Sequence, residues 1–263
     1  MRRARSATSR RHGVRPREDE RMGRPKVPLP PKKLRLGGPQ FSDDAYFLES
    51  ARRESDRLVQ SFGLRSSSRL LDVGCGVGRL AIGIIDRLGP IKAYHGVDVD
   101  PRYVDWCHKH IERAYPTYQF IRLDVGNPRY NPGGPALAGD FQHPFDDGSF
   151  EIVYLYSVFS HMGAEPVRIY LRDFRRILAS NGRLFFTAFA EEGVPDISVN
   201  PKGYRREWSG PLHCVRYRRG FLESMLESSG FKVDRFDYET ETDGQSAFSC
   251  SLKGIHAHQL QVD

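Results

Sequence analysis

No apolar run in these 263 residues approaches the roughly 20 that a membrane-crossing helix needs, so no membrane span is expected. The Arg-rich beginning also lacks the apolar h-region of a secretory signal peptide. Cysteine is scarce: Cys75, Cys107, Cys214 and Cys250 are scattered, with no C-x-x-C pair. That spacing argues against a zinc centre or a disulfide framework, so no metal is expected, and a reducing, cytoplasmic setting is. Internal repeats are missing, which argues against a solenoid.

Acidic residues are few at one end only. In residues 1–40 thirteen Arg or Lys face three acids, while the other 223 residues hold 27 basic and 30 acidic side chains. The net charge of +7 thus divides into +10 for the first segment and −3 for the rest. Rich in Arg, Pro, Gly and Ser and poor in apolar periodicity, residues 1–40 read as a disordered basic leader that ends in the proline-stiffened "KVPLPPKKLRLGG". Such a leader is either an electrostatic handle for nucleic acid or an acidic partner, or simply solvated chain. Met22 offers an alternative start within it. The expected division is a leader over 1–40, a folded domain over 41–258 and a short tail over 259–263.

From Ser42 the pattern becomes periodic. Phe47, Ala51, Leu58 and Phe62 share one face of a helix that Gly63 is placed to end. "RLLDV" reads as a strand with a helix after Gly78, and "IKAYHGVDV" as a second strand, after which Asp100 and Pro101 open a helix as N-cap and first residue. "YQFIRL" and "FEIVYLYSVF" follow as strands. Pro166 opens a helix of clean 3.6 period, and Asn181-Gly182 turns into a fifth strand, "RLFFTAF". A late helix ends at Gly230, and "FKVDRFDY" and "SAFSCSL" close as paired strands. This alternation calls for an α/β fold: a mostly parallel, doubly wound sheet with helices on both faces.

"LLDVGCGVGRL", residues 70–80, occupies the first strand-to-helix turn, where open α/β sheets bind ligands. Its glycines, Gly74, Gly76 and Gly78, allow a tight turn and close backbone approach at a helix N-terminus. Arg79 stands where the dinucleotide pattern G-x-G-x-x-G needs its last glycine, and no Gly-Lys-Ser/Thr follows, so neither that fingerprint nor a P-loop is present. Asp98, at the end of the second strand, suits the ribose diol of a dinucleotide or of an adenosyl ligand.

These residues resemble the class I S-adenosylmethionine-dependent methyltransferases, across about residues 45–252. "LLDVGCGVGRL" looks like their first motif, "GVDVD" like the motif with the ribose-binding acid, and "IRLDV" like the third. "HPFDDGSFEIVYLYSVFSHM" resembles the fourth-strand motif, and "LRDFRRILASNGRLFFTAF" the next helix and strand. The resemblance implies a Rossmann-like seven-stranded sheet of order 3-2-1-4-5-7-6 with one antiparallel strand, and S-adenosylmethionine as cofactor. It further implies that amides of Gly74 to Gly78 meet the donor's carboxylate, with Asp72 near its ammonium and Cys75 filling an x position. Asp98 with Val99 would hold the ribose, and Asp124 with the Val125 amide the adenine. Tyr156 would join this donor site, and Tyr46 and Phe47 could cover it.

For the acceptor, His161 in "SVFSHM" is the candidate base, with a structural role as the alternative. His143, His213 and Glu191 are weaker candidates. Acceptor identity is expected in two insertions, 125–149 and 190–218. In the second, Tyr204, Trp208, His213 and Tyr217 form either an aromatic pocket or a local mini-core. A small-molecule acceptor methylated at oxygen or nitrogen is the leading expectation. The alternatives are a nucleic-acid or protein methyltransferase recruited by the leader, and a non-catalytic donor-binding protein. A nucleic-acid acceptor is disfavoured, because the domain is acidic and lacks an Asn/Asp-Pro-Pro-Tyr/Phe motif.

Overall fold

The computed structural model describes residues 27–254. A helix, α1 (Asp44–Phe62), leads the domain; the Asp43 carboxylate accepts from the Tyr46 amide at 2.7 Å, and Gly63 ends the helix in the left-handed region. The alternation then runs β1 (Arg69–Val73), α2 (Arg79–Arg87), β2 (Ala93–Asp98), α3 (Pro101–Cys107), β3 (Tyr118–Arg122), β4 (Phe150–Leu155), α4 (Ala164–Ile177) and β5 (Leu178–Glu191). After it come β6 (Ile197–Val199), β7 (Val215–Arg218), α5 (Arg219–Ser228), β8 (Phe231–Asp237) and β9 (Ser246–Leu252).

The main sheet has the order β3-β2-β1-β4-β5-β9-β8, with only β9 antiparallel to its neighbours, as the resemblance implied. Two short strands were not anticipated. The far end of β5 pairs in parallel with β7, and β7 pairs antiparallel with β6. Asn181-Gly182 is not a turn before β5 but an irregularity inside it: Phe150 lies opposite Leu178, and two residues later Ile152 lies opposite Arg183. The helix from Pro101 also changes pitch, passing into a π-helical turn over His108–Glu112.

Burial follows strand alternation. In β4, past the irregularity that follows Phe150, Val153 and Leu155 face a core with α4 and α5, while Ile152 and Tyr154 face one with α1, α2 and α3. The second face is close-packed: a Cβ on Gly83 of α2 would lie 2.1 Å from the Ala51 carbonyl oxygen of α1. Glycine there lets the two helix backbones touch.

The expected leader boundary at residue 40 needs correction. Residues 27–40 are packed, with short 3-10 turns at Lys32–Leu34 and Pro39–Ser42 and with Val27, Leu29 and Leu34 against the core. Arg35, its side chain 3% exposed, pins this strap. It pairs with Asp44 at 2.7 Å, donates to the carbonyls of Pro30 and Phe41, and lies 4.7 Å over the Phe47 ring. A charge counted as leader basicity thus acts as a structural peg. Residues 1–26 of the expected leader and 259–263 of the expected tail lie outside the described residues.

Candidate active site

At the carboxyl ends of β1, β2 and β4 opens a cavity of about 490 Å³. The loop after β1 forms its floor. Gly74, Gly76 and Gly78 all have positive φ, at 71°, 51° and 71°. At Gly74 a Cβ would also meet the Val158 side chain at 2.5 Å, so both backbone strain and space favour glycine there. Gly76 lies in open space, and Gly78 packs under the loop against Ile111 rather than lining the cavity.

The loop amides are less bare than the resemblance implied. Gly74 and Cys75 both donate to the Val97 carbonyl, Gly78 donates to Cys75, and Gly76 donates to the Asp98 carboxylate at 2.8 Å. The loop is therefore stitched to the end of β2. Asp98 takes a second bond from the Asp100 amide, at 2.9 Å on its other oxygen. The Val99 amide also bonds this carboxylate, and burial, outweighing these bonds, raises the Asp98 carboxyl above its ordinary range.

Asp72, 3% exposed, accepts from the Tyr94 hydroxyl. Desolvation pushes its carboxyl up to about 7, against the opposing Tyr94 bond and the charge of Arg79. A buried carboxylate in that state gains from a cationic ligand, because a nearby positive charge restores its ionised form. Arg79 lines the same floor, between the rings of Phe41 (5.7 Å) and Tyr156 (4.9 Å). Sequence reasoning used Arg79 only to reject a dinucleotide fingerprint and missed this position. Beneath it Glu54 accepts from Tyr154 at 2.9 Å, and the Tyr156 hydroxyl meets Glu241 and Thr242 at 3.1 and 3.0 Å. These bonds tie α1 and the turn before β9 to the cavity.

Comparison with known proteins agrees with this geometry. Residues 71–186 match the family model described as a methyltransferase domain. The chain is 30% identical over 233 residues to the 27-O-demethylrifamycin SV methyltransferase of Amycolatopsis mediterranei, covering 84% of this chain and 79% of that one. The chain belongs to the class I S-adenosylmethionine-dependent methyltransferases. An O-methyltransferase of Aspergillus nomiae is 27% identical over 212 residues, covering 79% of this chain and 85% of its own. Among solved structures, a SAM-dependent methyltransferase from Aquifex aeolicus shares the fold at a TM-score of 0.55 and 14% identity, covering 85% of this chain and 98% of the other.

The methyltransferase's donor is S-adenosylmethionine. The residues present fit it: a buried carboxylate at Asp72 for an ammonium, a second carboxylate at Asp98 for hydroxyls, and glycine backbone between them, all on the cavity lining. Cys75, Val99, Val125, Tyr156 and Phe47 also line the cavity, whereas Tyr46 does not. Of the pair expected at the adenine, Val125 lines the cavity and Asp124 does not. Asp124 stands outside the wall, 58% exposed, paired with Arg122 at 2.9 Å and bonded by Asn131 at 3.1 Å. The Val125 amide donates back to the Leu123 carbonyl at 2.8 Å.

The opposite wall comes from both insertions. His161 lines it, with Nδ1 3.0 Å from the Leu212 carbonyl and its ring beside Tyr130. Desolvation lowers its pKa to about 4, so the imidazole is neutral but weakly basic; an ordinary histidine pKa does not hold here. Trp208 and His213 reach the cavity. Tyr204 instead packs with Phe189 and Cys214 in a mini-core, and Tyr217 is fully buried with its hydroxyl on the Met162 carbonyl. The aromatic cluster is therefore part pocket, part core. His143 is buried against Asp173 at 2.7 Å, and Glu191 is paired with Arg205 and Arg216; neither lines the cavity. Ser157, a non-glycine residue at φ 60°, was not foreseen. Gln245 donates to its hydroxyl at 2.8 Å while accepting from Thr187, and both Ser157 and Gln245 line the cavity.

Proposed function

We propose that this methyltransferase methylates an oxygen of a small-molecule acceptor. One observation carries the reading: a single cavity joins the glycine floor and Asp98 to the wall of Tyr130, Trp208 and His161. A concave pocket of this volume with a few polar groups suits a small ligand better than a polymer. The names of the two relatives described above, an O-methyltransferase and a 27-O-demethylrifamycin SV methyltransferase, support oxygen over nitrogen. Residues 27–263, which hold the packed domain, carry 30 basic and 30 acidic side chains and so no net positive charge, which disfavours nucleic acid, whose recognition relies on a basic face.

When bound, the donor supplies a methyl group already activated on a sulfonium. The protein's part is then mainly alignment. Asp72 and Asp98 fix one end of the cavity, the strained turn at Ser157 and the Val158 contact with Gly74 shape its middle, and the insertions hold the acceptor. His161, neutral near pH 7, accepts a proton only weakly. An acceptor hydroxyl acidic enough to ionise with little help therefore suits the site best.

Incubating the purified protein with methyl-labelled S-adenosylmethionine and separate pools of phenols, nucleic acids and proteins tests this. Label entering the phenol pool, mapped to oxygen by mass spectrometry, is the expected result. Label entering only RNA, DNA or protein would overturn it.

A further inference from the structure

Three arginines line the cavity, and two are engaged. Arg206 pairs with Asp243 at 2.9 Å, and Arg79 sits on the donor floor in the field of Glu54 and Asp72. Arg129 differs. Among the described residues no carboxylate lies within 4 Å of it. Its Nη1 makes a long 3.5 Å approach to the Ser209 carbonyl, its side chain also hydrogen-bonds the Tyr130 hydroxyl, and its Nε is buried with no hydrogen-bond partner. Its guanidinium carbon stands 5.5 Å from the centre of the Tyr130 ring.

An arginine in this state is unusual. A partly buried guanidinium normally finds a carboxylate or a full set of acceptors, and an orphaned donor costs free energy. Arg129's charge is felt inside the acceptor wall, where it disfavours protonation of both His161 and His213 beyond what their desolvation does. The cation thus acts on the space beside His161. Beside that space stand the Tyr130 ring, against His161, and the Trp208 ring, against His213.

We propose that Arg129 is the recognition residue for an anionic oxygen on an aromatic acceptor. The shared chemistry is a negatively charged oxygen on a flat ring, supplied by a carboxylate or by an ionised phenol. The guanidinium fork matches such an oxygen, and the aromatic wall matches the ring. Arg129 lies on the first insertion and reaches toward Ser209 on the second, so the site forms where the two meet. This inference rests on the small-molecule reading and names its substrate class.

The test uses the full chain loaded with S-adenosylhomocysteine, with 2-naphthoate, naphthalene-2-carboxamide and 2-naphthol as probes. At pH 7.5 the carboxylate should bind about 10- to 100-fold tighter than its neutral carboxamide, the scale of one charged hydrogen-bonding contact. Arg129→Gln should abolish that preference, and Arg129→Lys should restore part of it. Binding of S-adenosylhomocysteine should stay unchanged in both variants, which reports an intact fold. If the ionised phenol is the source, 2-naphthol should instead bind tighter as pH rises toward its ionisation at about 10, in wild type and not in Arg129→Gln. Equal binding of carboxylate and carboxamide together with a flat 2-naphthol profile would overturn the proposal. So would a preference that survives Arg129→Gln, or no probe binding at all. Failure to bind S-adenosylhomocysteine would strike the methyltransferase reading itself, whereas donor binding without probe discrimination strikes only this one.

Discussion

The two ends of the cavity are made of different material. At the donor end, contacts come from backbone and carboxylates fixed at the tips of β1 and β2, and the loop amides are bonded to β2 before any ligand arrives. At the acceptor end, the wall consists of long side chains on residues 125–149 and 190–218, held by a mini-core and by scattered ion pairs. A site bonded into a sheet is stiff and suits one ligand. A wall of side chains on loops can change its chemistry with little effect on the fold.

Removing Asp98 should break the donor end most severely. Asp98→Ala would lose the two charge-assisted bonds proposed to the ribose, and it orphans the Gly76 and Asp100 amides. Calorimetry with S-adenosylhomocysteine should show binding weakened by about 2 to 4 kcal/mol, with the acceptor wall untouched. Second in size is an acid effect at the acceptor end. His161 has a folded pKa of about 4 against an ordinary 6.5, so its contribution to stability is complete above pH 6.5 and is lost as pH falls to about 4. At about 1.4 kcal/mol per unit, that slope amounts to roughly 3 kcal/mol, and His161→Gln should flatten it in denaturant titrations. For the same reason the rate should show no limb near 6.5, and the substitution should lower kcat by less than about tenfold, short of the usual 10² or more for a tuned base.

Gly74→Ala and Gly76→Ala separate strain from contact within one loop. Both need a left-handed residue, at about 1 to 2 kcal/mol, but only Gly74 would also collide with Val158. Gly76→Ala should lower Tm by about 2 to 8 °C, and Gly74→Ala by clearly more. The smallest effect should come from Trp208→Ala. It removes a half-buried ring from the acceptor wall and should raise acceptor KM by about 5- to 30-fold while leaving donor affinity alone.

The sheet order, the helices and the glycine floor were legible because each rests on a local pattern: alternation, the 3.6 period, or a run of glycines. What stayed hidden depends on contacts distant in sequence. Val27, Leu29 and Leu34 are spaced by prolines and lysines with no period, so nothing local showed that Arg35 would be buried over Phe47. Asp124 matched a motif in type, yet the adjacent Arg122 and Asn131 hold it outside the wall. Arg129 sits in a loop where one arginine looks like any other. Its importance lies in the carboxylate it does not meet, which no sequence pattern displays.

β5 has a mechanical consequence. This single 14-residue strand is paired with β4 and β9 along the main sheet, and its last residues carry β7 and, through it, β6. The acceptor wall therefore hangs from the same beam that spans the sheet, clamped at Ile197–Val199 on one side and Val215–Arg218 on the other. A clamped span bends in the middle and stays still at its supports. Slow opening for substrate entry should concentrate in residues 200–214, leaving β6 and β7 in place. A lineage could exchange that middle stretch for another without disturbing the joints that hold it.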